Sequence, residues 1–157
     1  MAIGSLNPWI EIWDLDIVDC LEPEFILGSQ KKIKKKLPAG VKKQKILGHR
    51  GPVLSLAWNN ANKTVLASGS TDKSIILWDL QKLKLATRIK NHTDNVQSLQ
   101  WHPIELFSLL SGSADKTVCM YDCRNPNTNK KSWSLGAEVE EVTWNKFDPN
   151  YFLVSEI

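Results

Sequence analysis

One pattern occurs twice in this chain at a spacing of 43 residues, and it limits the possible folds more than any other feature. The stretch 55–80 aligns with the stretch 98–123 without a gap. The matched pairs include His49 and His92, Trp58 and Trp101, Asp72 and Asp115, and Asp79 and Asp122. One further step of the same length leads from Trp101 to Trp144. Such a register indicates a repeat architecture in which each unit packs against its neighbours.

Within each unit the pattern is that of short β-strands. The string VLSLAW alternates apolar residues with small or polar ones, whereas VLASGS and SIILWDL are rich in β-branched residues and are separated by the turn signal TDK. The string LKLATRIK supplies a fourth strand. Four short strands in about 43 residues predict one blade of a β-propeller.

Two motifs in the first unit resemble a WD40 repeat. They are the GH pair at Gly48 and His49, and the string SGSTDKSIILWD. The second unit departs from this pattern by carrying Asn91 in place of the glycine and Tyr121 in place of the tryptophan. Within the family, the strings WIEIWDLDIVDCLEPEFILG, HTDNVQSLQWHP and VTWNKFDPNYFL are similar to the periodic tryptophan branch.

The resemblance implies an all-β fold, namely a segment of a WD40 β-propeller with two complete four-stranded blades and two half-blades. We expect the following division of the chain: 1–28 as strands c and d of a preceding blade, 29–47 as a Lys-rich inter-blade loop, 48–90 and 91–135 as the two WD40 blades, and 136–157 as an incomplete following blade. A closed ring needs at least four blades, so the chain is expected to be a propeller fragment whose open strand edges favour self-association.

The resemblance also implies a buried hydrogen-bonded network in each full blade. By position, the first network consists of His49, Ser68, Asp72 and Trp78, and the second consists of His92, Ser111, Asp115 and Tyr121. The chemistry is compatible, because an indole N–H only donates, a carboxylate only accepts, and hydroxyl and imidazole groups can do both. A phenol reaches less far than an indole, so we expect the second network to be less well closed.

Several function classes are disfavoured by the same residues. A serine, a histidine and an aspartate that recur together every 43 residues indicate architecture, so we predict no enzyme, no metal site and no cofactor. Three cysteines are an odd number and predict no disulfide framework. His102 aligns with Asn59 and Asn145 just after a strand, so we interpret it as a loop residue.

Charge is distributed unevenly. Six carboxylates and no Lys or Arg lie within 11–24, whereas eight lysines and no acidic residue lie within 31–45. The lysines are Lys31, Lys32, Lys34, Lys35, Lys36, Lys42, Lys43 and Lys45. Three interpretations remain open for this run, namely a solvated linker, a nuclear import signal, or contacts to the phosphates of RNA or DNA.

The resemblance implies a non-catalytic interaction scaffold in the nucleus and nucleolus. Its expected process is ribosome biogenesis, including rRNA processing and regulation of transcription by RNA polymerase I. Expected partners are proteins of ribosome-assembly or chromatin complexes and possible RNA, without a membrane or a small-molecule substrate. The alternatives are an RNA- or chromatin-binding module that acts through the Lys-rich loop, and a cytoplasmic WD40 adaptor.

Overall fold

The computed structural model describes residues 1–16, 22–28, 48–126 and 128–157. The regular elements in these ranges are thirteen β-strands, which form four antiparallel sheets, so the all-β class predicted from the sequence is confirmed. None of the described segments is a helix that could cross a bilayer.

Two four-stranded sheets form the centre of the molecule. The first blade consists of β4 (Val53–Trp58), β5 (Val65–Ser70), β6 (Ile75–Asp79) and β7 (Lys84–Ile89), paired in chain order. The second blade consists of β8 (Val96–Trp101), β9 (Ser108–Ser113), β10 (Thr117–Asp122) and β11 (Lys130–Ser134), also paired in chain order. Because both blades repeat one sequence pattern, their first three strands begin at positions offset by 42 or 43 residues, and their outer strands by 46.

Smaller sheets flank the two blades. The N-terminal sheet contains β1 (Ala2–Gly4), β2 (Ile10–Ile12) and β3 (Phe25–Leu27), and the C-terminal sheet contains β12 (Val139–Trp144) and β13 (Phe152–Glu156). The C-terminal sheet has the two strands expected of a half-blade.

The N-terminal sheet contains one strand more than the two assigned to 1–28 from the sequence. Strand β1 pairs antiparallel with β2, with Ile3 opposite Glu11. The sequence carries a signal for it, because 2–15 aligns without a gap with 67–80, and β1 therefore corresponds to 67–69 within β5. Three residues are too few for an alternation pattern, so this strand is not recognisable from the alternation of residues alone.

The core lies between consecutive sheets, and alternate residues of each middle strand point to opposite sides. Leu66, Ile76 and Trp78 pack towards the N-terminal sheet, whereas Ala67, Ile75 and Leu77 pack towards the second blade. Both faces are covered, and for this reason the middle strands are apolar almost without interruption. A third cluster, which includes Leu110, Val118 and Val142, joins the second blade to the C-terminal sheet.

Two glycines allow the inner strand of one sheet to approach the preceding sheet closely. A Cβ atom added at Gly69 would lie 2.6 Å from Cγ1 of Val96, and one added at Gly112 would lie 2.5 Å from Cγ1 of Val139. Real side chains do not tolerate such distances. The repeated Ser-Gly-Ser motif therefore serves the packing of successive sheets.

Candidate functional site

The first blade contains a continuous chain of hydrogen bonds that runs from an indole to a carboxylate. Trp78 Nε1 donates to Ser68 Oγ at 2.8 Å, and Ser68 Oγ lies 2.7 Å from His49 Nε2. His49 Nδ1 lies 3.1 Å from Asp72 Oδ1. Because the carboxylate can only accept, His49 must carry a proton on Nδ1. Every member of the chain is therefore paired.

Asp72 is the point at which this blade is tied together. Its carboxylate accepts a bond of 2.6 Å from Ser74 Oγ and one of 2.8 Å from the backbone N–H of Arg50. Arg88 Nη1 lies 3.3 Å from Oδ2, and the same guanidinium donates to the carbonyl of Gly48. These bonds connect the turn between β5 and β6, the outer strand β7 and the loop that leads into the blade.

The surroundings of Asp72 keep it ionised. Burial would raise the pKa of this carboxyl, but hydrogen bonds from His49, Ser74 and the backbone of Arg50 outweigh burial and lower the pKa well below the ordinary value of 3.8. The folded state therefore favours the charged form over the whole neutral range.

The second blade repeats the histidine–aspartate half of the network. His92 Nδ1 lies 2.9 Å from Asp115 Oδ2, and His92 Nε2 lies 2.7 Å from Ser111 Oγ. Thr117 takes the role of Ser74 and donates to Asp115 at 2.6 Å. Burial lowers the pKa of His92 and outweighs the opposite effect of the neighbouring Asp115, so the buried imidazole is held neutral.

The indole end of the network differs in the second blade. Tyr121 is buried, and its hydroxyl makes no hydrogen bond of acceptable geometry with any described residue. Ser111, Cys119 and Asn91 lie around it, and the amide nitrogen of Asn91 is likewise buried without a partner in the part of the chain that the structure describes. Burial raises the pKa of the phenol, which is therefore neutral. The gap is the one that the shorter reach of a phenol predicts.

The buried networks are built to hold loops and cannot act on a substrate. Ser68 and His49 are both 0% exposed, and the Ser68 hydroxyl is occupied by Trp78 and His49. A nucleophilic serine would need an open side from which a substrate could approach. Within 1–16, 22–28, 48–126 and 128–157, no three His, Cys, Asp or Glu side chains are grouped as a metal site would require.

Polar side chains also join each blade to the next one, at both ends of the sheets. At one end, the Nζ atoms of Lys73 and Lys116 donate to the carbonyls of Thr93 and Gly136, at 2.6 and 3.5 Å. Both lysines occupy the turn between the second and third strands of their blade with positive φ, at 66° and 65°. Near the other ends of the inner strands β4 and β8, Trp101 Nε1 donates to the carbonyl of Ala57 at 2.9 Å.

At the opposite end, the loops that follow the inner strands are in contact. Asn59 Nδ2 donates to the carbonyl of Leu106 at 2.9 Å, and His102 Nε2 lies 3.0 Å from the carbonyl oxygen of Pro149. The position of His102 just after a strand predicts a loop residue, and the structure adds a contact with the next loop. Its alignment with Asn59 was the available signal for its second contact, but which loop it would meet depends on how the blades stack.

Two neighbouring loops at this end expose large apolar side chains. Ile104 is 70% exposed, Phe147 is 99% exposed and Tyr151 is 65% exposed. In the corresponding loop of the first blade, the position that aligns with Ile104 and Phe147 is Ala61. We call Ile104, Phe147 and Tyr151 the apolar loop surface.

Lys31, Lys32, Lys34, Lys35, Lys36, Lys42, Lys43 and Lys45 lie outside the described residues.

Comparison with known proteins identifies the family to which this fold belongs. The WD40 family, described as WD domain, G-beta repeat, matches residues 40–79 and 83–122. The chain belongs to the WD40 repeat family. In this WD40 chain, the two matched repeats end at the close of β6 and of β10, at Asp79 and Asp122.

Two relatives and one solved structure extend the comparison. The Periodic tryptophan protein 1 homolog of Drosophila melanogaster is 41% identical over 158 residues, which covers 98% of this chain and 32% of the relative. The Ribosome biogenesis protein WDR12 homolog of Drosophila yakuba is 32% identical over 90 residues, which covers 56% of this chain and 19% of the relative. A chain in the Crystal Structure of Mitotic Checkpoint Complex superposes with a TM-score of 0.76 at 19% identity, covering 99% of this chain and 41% of the other.

These matches establish the fold and show what share of a relative's length the chain spans. The structural match confirms the propeller segment, because the strands superpose although few residues are identical. The WD40 chain spans about a third of the length of the first relative.

Proposed function

We propose that this chain is part of a non-catalytic WD40 scaffold that acts in ribosome biogenesis in the nucleus and nucleolus. The observation that carries the proposal is the 41% identity with the Periodic tryptophan protein 1 homolog across 98% of the chain. A second relative, whose name refers to ribosome biogenesis, supports the same process. Processing of rRNA and regulation of transcription by RNA polymerase I are the finer activities we assign to this scaffold.

The geometry is consistent with a role in holding partners. The buried networks of His49, Asp72, His92 and Asp115 serve to fix the loops at one end of the sheets. At the other end, the apolar loop surface offers exposed side chains of the size that protein interfaces bury. The proposed partners are proteins of ribosome-assembly or chromatin complexes.

Affinity purification of the tagged chain tests this proposal. We expect ribosome-assembly proteins and precursor rRNA to copurify with the wild type. The double substitution Ile104→Ser and Phe147→Ser should lose them, while Ala61→Ser, at the aligned position of the first blade, should retain them. Purification of the folded wild type without any ribosome-assembly protein would overturn the proposed process.

A second candidate function rests on the lysine run. Eight lysines without an acidic residue within 31–45 would bind phosphates without sequence preference and with a strong dependence on salt. The same residues would also suit a nuclear import signal, and a solvated linker is the third interpretation.

Substitution of five lysines separates these interpretations. Lys31, Lys32, Lys34, Lys35 and Lys36 are changed together to Gln, and the matched control changes the same five to Arg, which keeps the charge. If the Gln variant loses RNA affinity and its salt dependence, the run binds nucleic acid. If it loses only nuclear accumulation, the run is an import signal, and retention of both properties leaves a linker. A wild-type chain that stays in the cytoplasm would favour the cytoplasmic adaptor.

A further inference from the structure

The first residue after an inner strand makes two kinds of contact in the first blade. The Oδ1 atom of Asn59 accepts the backbone N–H groups of Ala61 and Asn62, at 3.0 and 2.8 Å. Its Nδ2 atom donates to the carbonyl of Leu106 in the next loop, at 2.9 Å. One amide side chain therefore closes its own loop with an acceptor and holds the neighbouring blade with a donor.

His102 makes the equivalent contacts with an imidazole. Its Nδ1 atom accepts the backbone N–H groups of Ile104 and Glu105, at 3.2 and 2.8 Å. Its Nε2 atom lies 3.0 Å from the carbonyl oxygen of Pro149, which is the residue that aligns with Leu106. The ring thus replaces the amide group by group, with Nδ1 as the acceptor and Nε2 as the donor.

These partners require one neutral tautomer. Two N–H donors converge on Nδ1, so this nitrogen must be unprotonated, and the carbonyl of Pro149 requires a proton on Nε2. A protonated imidazole has a donor on both nitrogens, and its Nδ1–H would face two further donors. An asparagine at the same place has no such second state in the physiological pH range, whereas histidine is the side chain that titrates there.

We propose that His102 is a pH-sensitive clamp between the second blade and the C-terminal sheet. The neutral ring accepts its own loop on Nδ1 and reaches Pro149 through Nε2, whereas protonation breaks the Nδ1 contacts and so displaces the ring from the position in which Nε2 meets Pro149. The junction between the first and second blades, which Asn59 holds, does not respond to pH through this contact. Within the described residues, a titratable junction thus lies next to a permanent junction of the same geometry.

The groups around His102 do not hold a charged ring in place. The charged side chains on its own loop, on β12 and β13 and on the loop between them are Glu105, Glu140, Glu141, Lys146, Asp148 and Glu156, and Arg124 lies over Phe107 of the His102 loop. In the part of the chain that the structure describes, none of them forms an ion pair with the imidazole, and Glu105 and Asp148 accept hydrogen bonds from Ser108 and Asn150. The ring packs edge-on against Trp144, with centroids 4.5 Å apart. This indole attracts a cation but offers no acceptor to replace the lost backbone bonds.

Hydrogen exchange of the full chain, corrected for the intrinsic pH dependence of the amides, tests the clamp. Between about pH 7.5 and about pH 5.5, the amides of 102–107 and of the C-terminal sheet should open on the order of tenfold more readily in the wild type. His102→Asn should abolish this difference, because an asparagine can make the same contacts as Asn59 and does not titrate in this pH range. The reciprocal change Asn59→His should install a new pH response in 59–64, with no change in the C-terminal sheet.

Two results would overturn the proposal. One is a pH response in the wild type that persists in His102→Asn, and the other is a wild type without any response in these segments. Should either variant fail to fold, the nitrogen chemical shifts of ¹⁵N-labelled histidine in the wild type still decide. A neutral His102 that carries its proton on Nδ1 would contradict the assigned tautomer and the clamp with it.

Discussion

The first and second blades share their strand order, their turns and their histidine–aspartate pairs, yet they treat the fourth member of the network differently. In the first blade Trp78 donates to Ser68, and Arg88 adds a bond to Asp72. In the second blade the hydroxyl of Tyr121 has no partner among the described residues, and the place that Arg88 has opposite Ile76 is taken by the exposed Ser132 opposite Cys119. Unpaired buried groups cost free energy, so the same architecture should be unequally stable in its two copies.

The largest difference should appear when the aromatic residue of each network becomes phenylalanine. Trp78→Phe removes the donor to Ser68 and leaves a void beside Leu66, and we expect it to lower the free energy of unfolding by about 3–4 kcal/mol. Tyr121→Phe removes only an unpaired hydroxyl and should be neutral or stabilising by up to about 1 kcal/mol. Urea unfolding of both variants measures this. Equal losses would show that the phenol is paired after all.

A smaller difference is expected for the serine that each histidine contacts. Ser68→Ala leaves both Trp78 Nε1 and His49 Nε2 without a partner, and should cost about 2–3 kcal/mol. Ser111→Ala leaves only His92 Nε2 unpaired, and should cost about 1–2 kcal/mol. The substitutions remove the same atom, so each is the control for the other in the same urea experiment. A larger loss for Ser111→Ala would reverse the proposed ranking of the blades.

The response to acid should follow from His92 and Asp72. The pKa of His92 is lower in the folded state than the ordinary 6.5, so the unfolded chain takes up this proton first and stability falls as the pH drops below about 6.5. The pKa of Asp72 is also lowered, so its contribution is present above 3.8 and is lost as the pH falls further. Urea midpoints from neutral pH to about pH 3 should therefore decline in two stages.

Matched variants assign the two stages. The measurements are made in the His102→Asn background, so that the proposed clamp does not contribute. His92→Gln should flatten the decline near neutral pH, and Asp72→Asn should flatten the decline at acid pH. A midpoint that does not change between about pH 7 and pH 5 would refute the role given to His92.

Much of the fold could be predicted because the same pattern of strands and turns occurs twice in the sequence. The 43-residue register fixed the strands of both blades, and the placement of His49, Ser68, Asp72 and Trp78 followed from the resemblance to WD40 repeats. Ser74 and Arg88 were not predicted to join the network. Ser74 is one polar residue among several in a turn, and Arg88 reaches Asp72 only because β7 pairs with β6 in one particular register.

The contacts between blades were less accessible to sequence reasoning. Asn59 and His102 were aligned, but an alignment within the chain does not reveal that each side chain meets a carbonyl in the loop 47 residues further on. The same limit applies to Asn91, whose departure from glycine was noted without any link to Tyr121. Such pairs become visible only when the backbone has brought them together.

The departures at Asn91 and Tyr121 should be energetically coupled, and this is the smallest effect we expect. In the first blade a Cβ atom on Gly48 would lie 2.7 Å from the Cα of Gly28, and one on Gly28 would lie 2.9 Å from Cη2 of Trp78, so bare glycines accompany the large indole. In the second blade the smaller phenol lies beside the Asn91 side chain. Tyr121→Trp should therefore overpack the site and cost about 1–2 kcal/mol.

Asn91→Gly combined with Tyr121→Trp should recover at least half of that cost, because the combination recreates the pair of the first blade and provides Ser111 with an indole donor. A double-mutant cycle by urea unfolding gives the coupling, which we expect to be about 1 kcal/mol and favourable. Additive effects of the two substitutions would mean that they are unrelated departures from the repeat. A favourable coupling would mean that the second blade replaces the glycine–tryptophan pair of the first blade by an asparagine–tyrosine pair that also fills the space. The replacement then costs the second blade the hydrogen bond that closes the network.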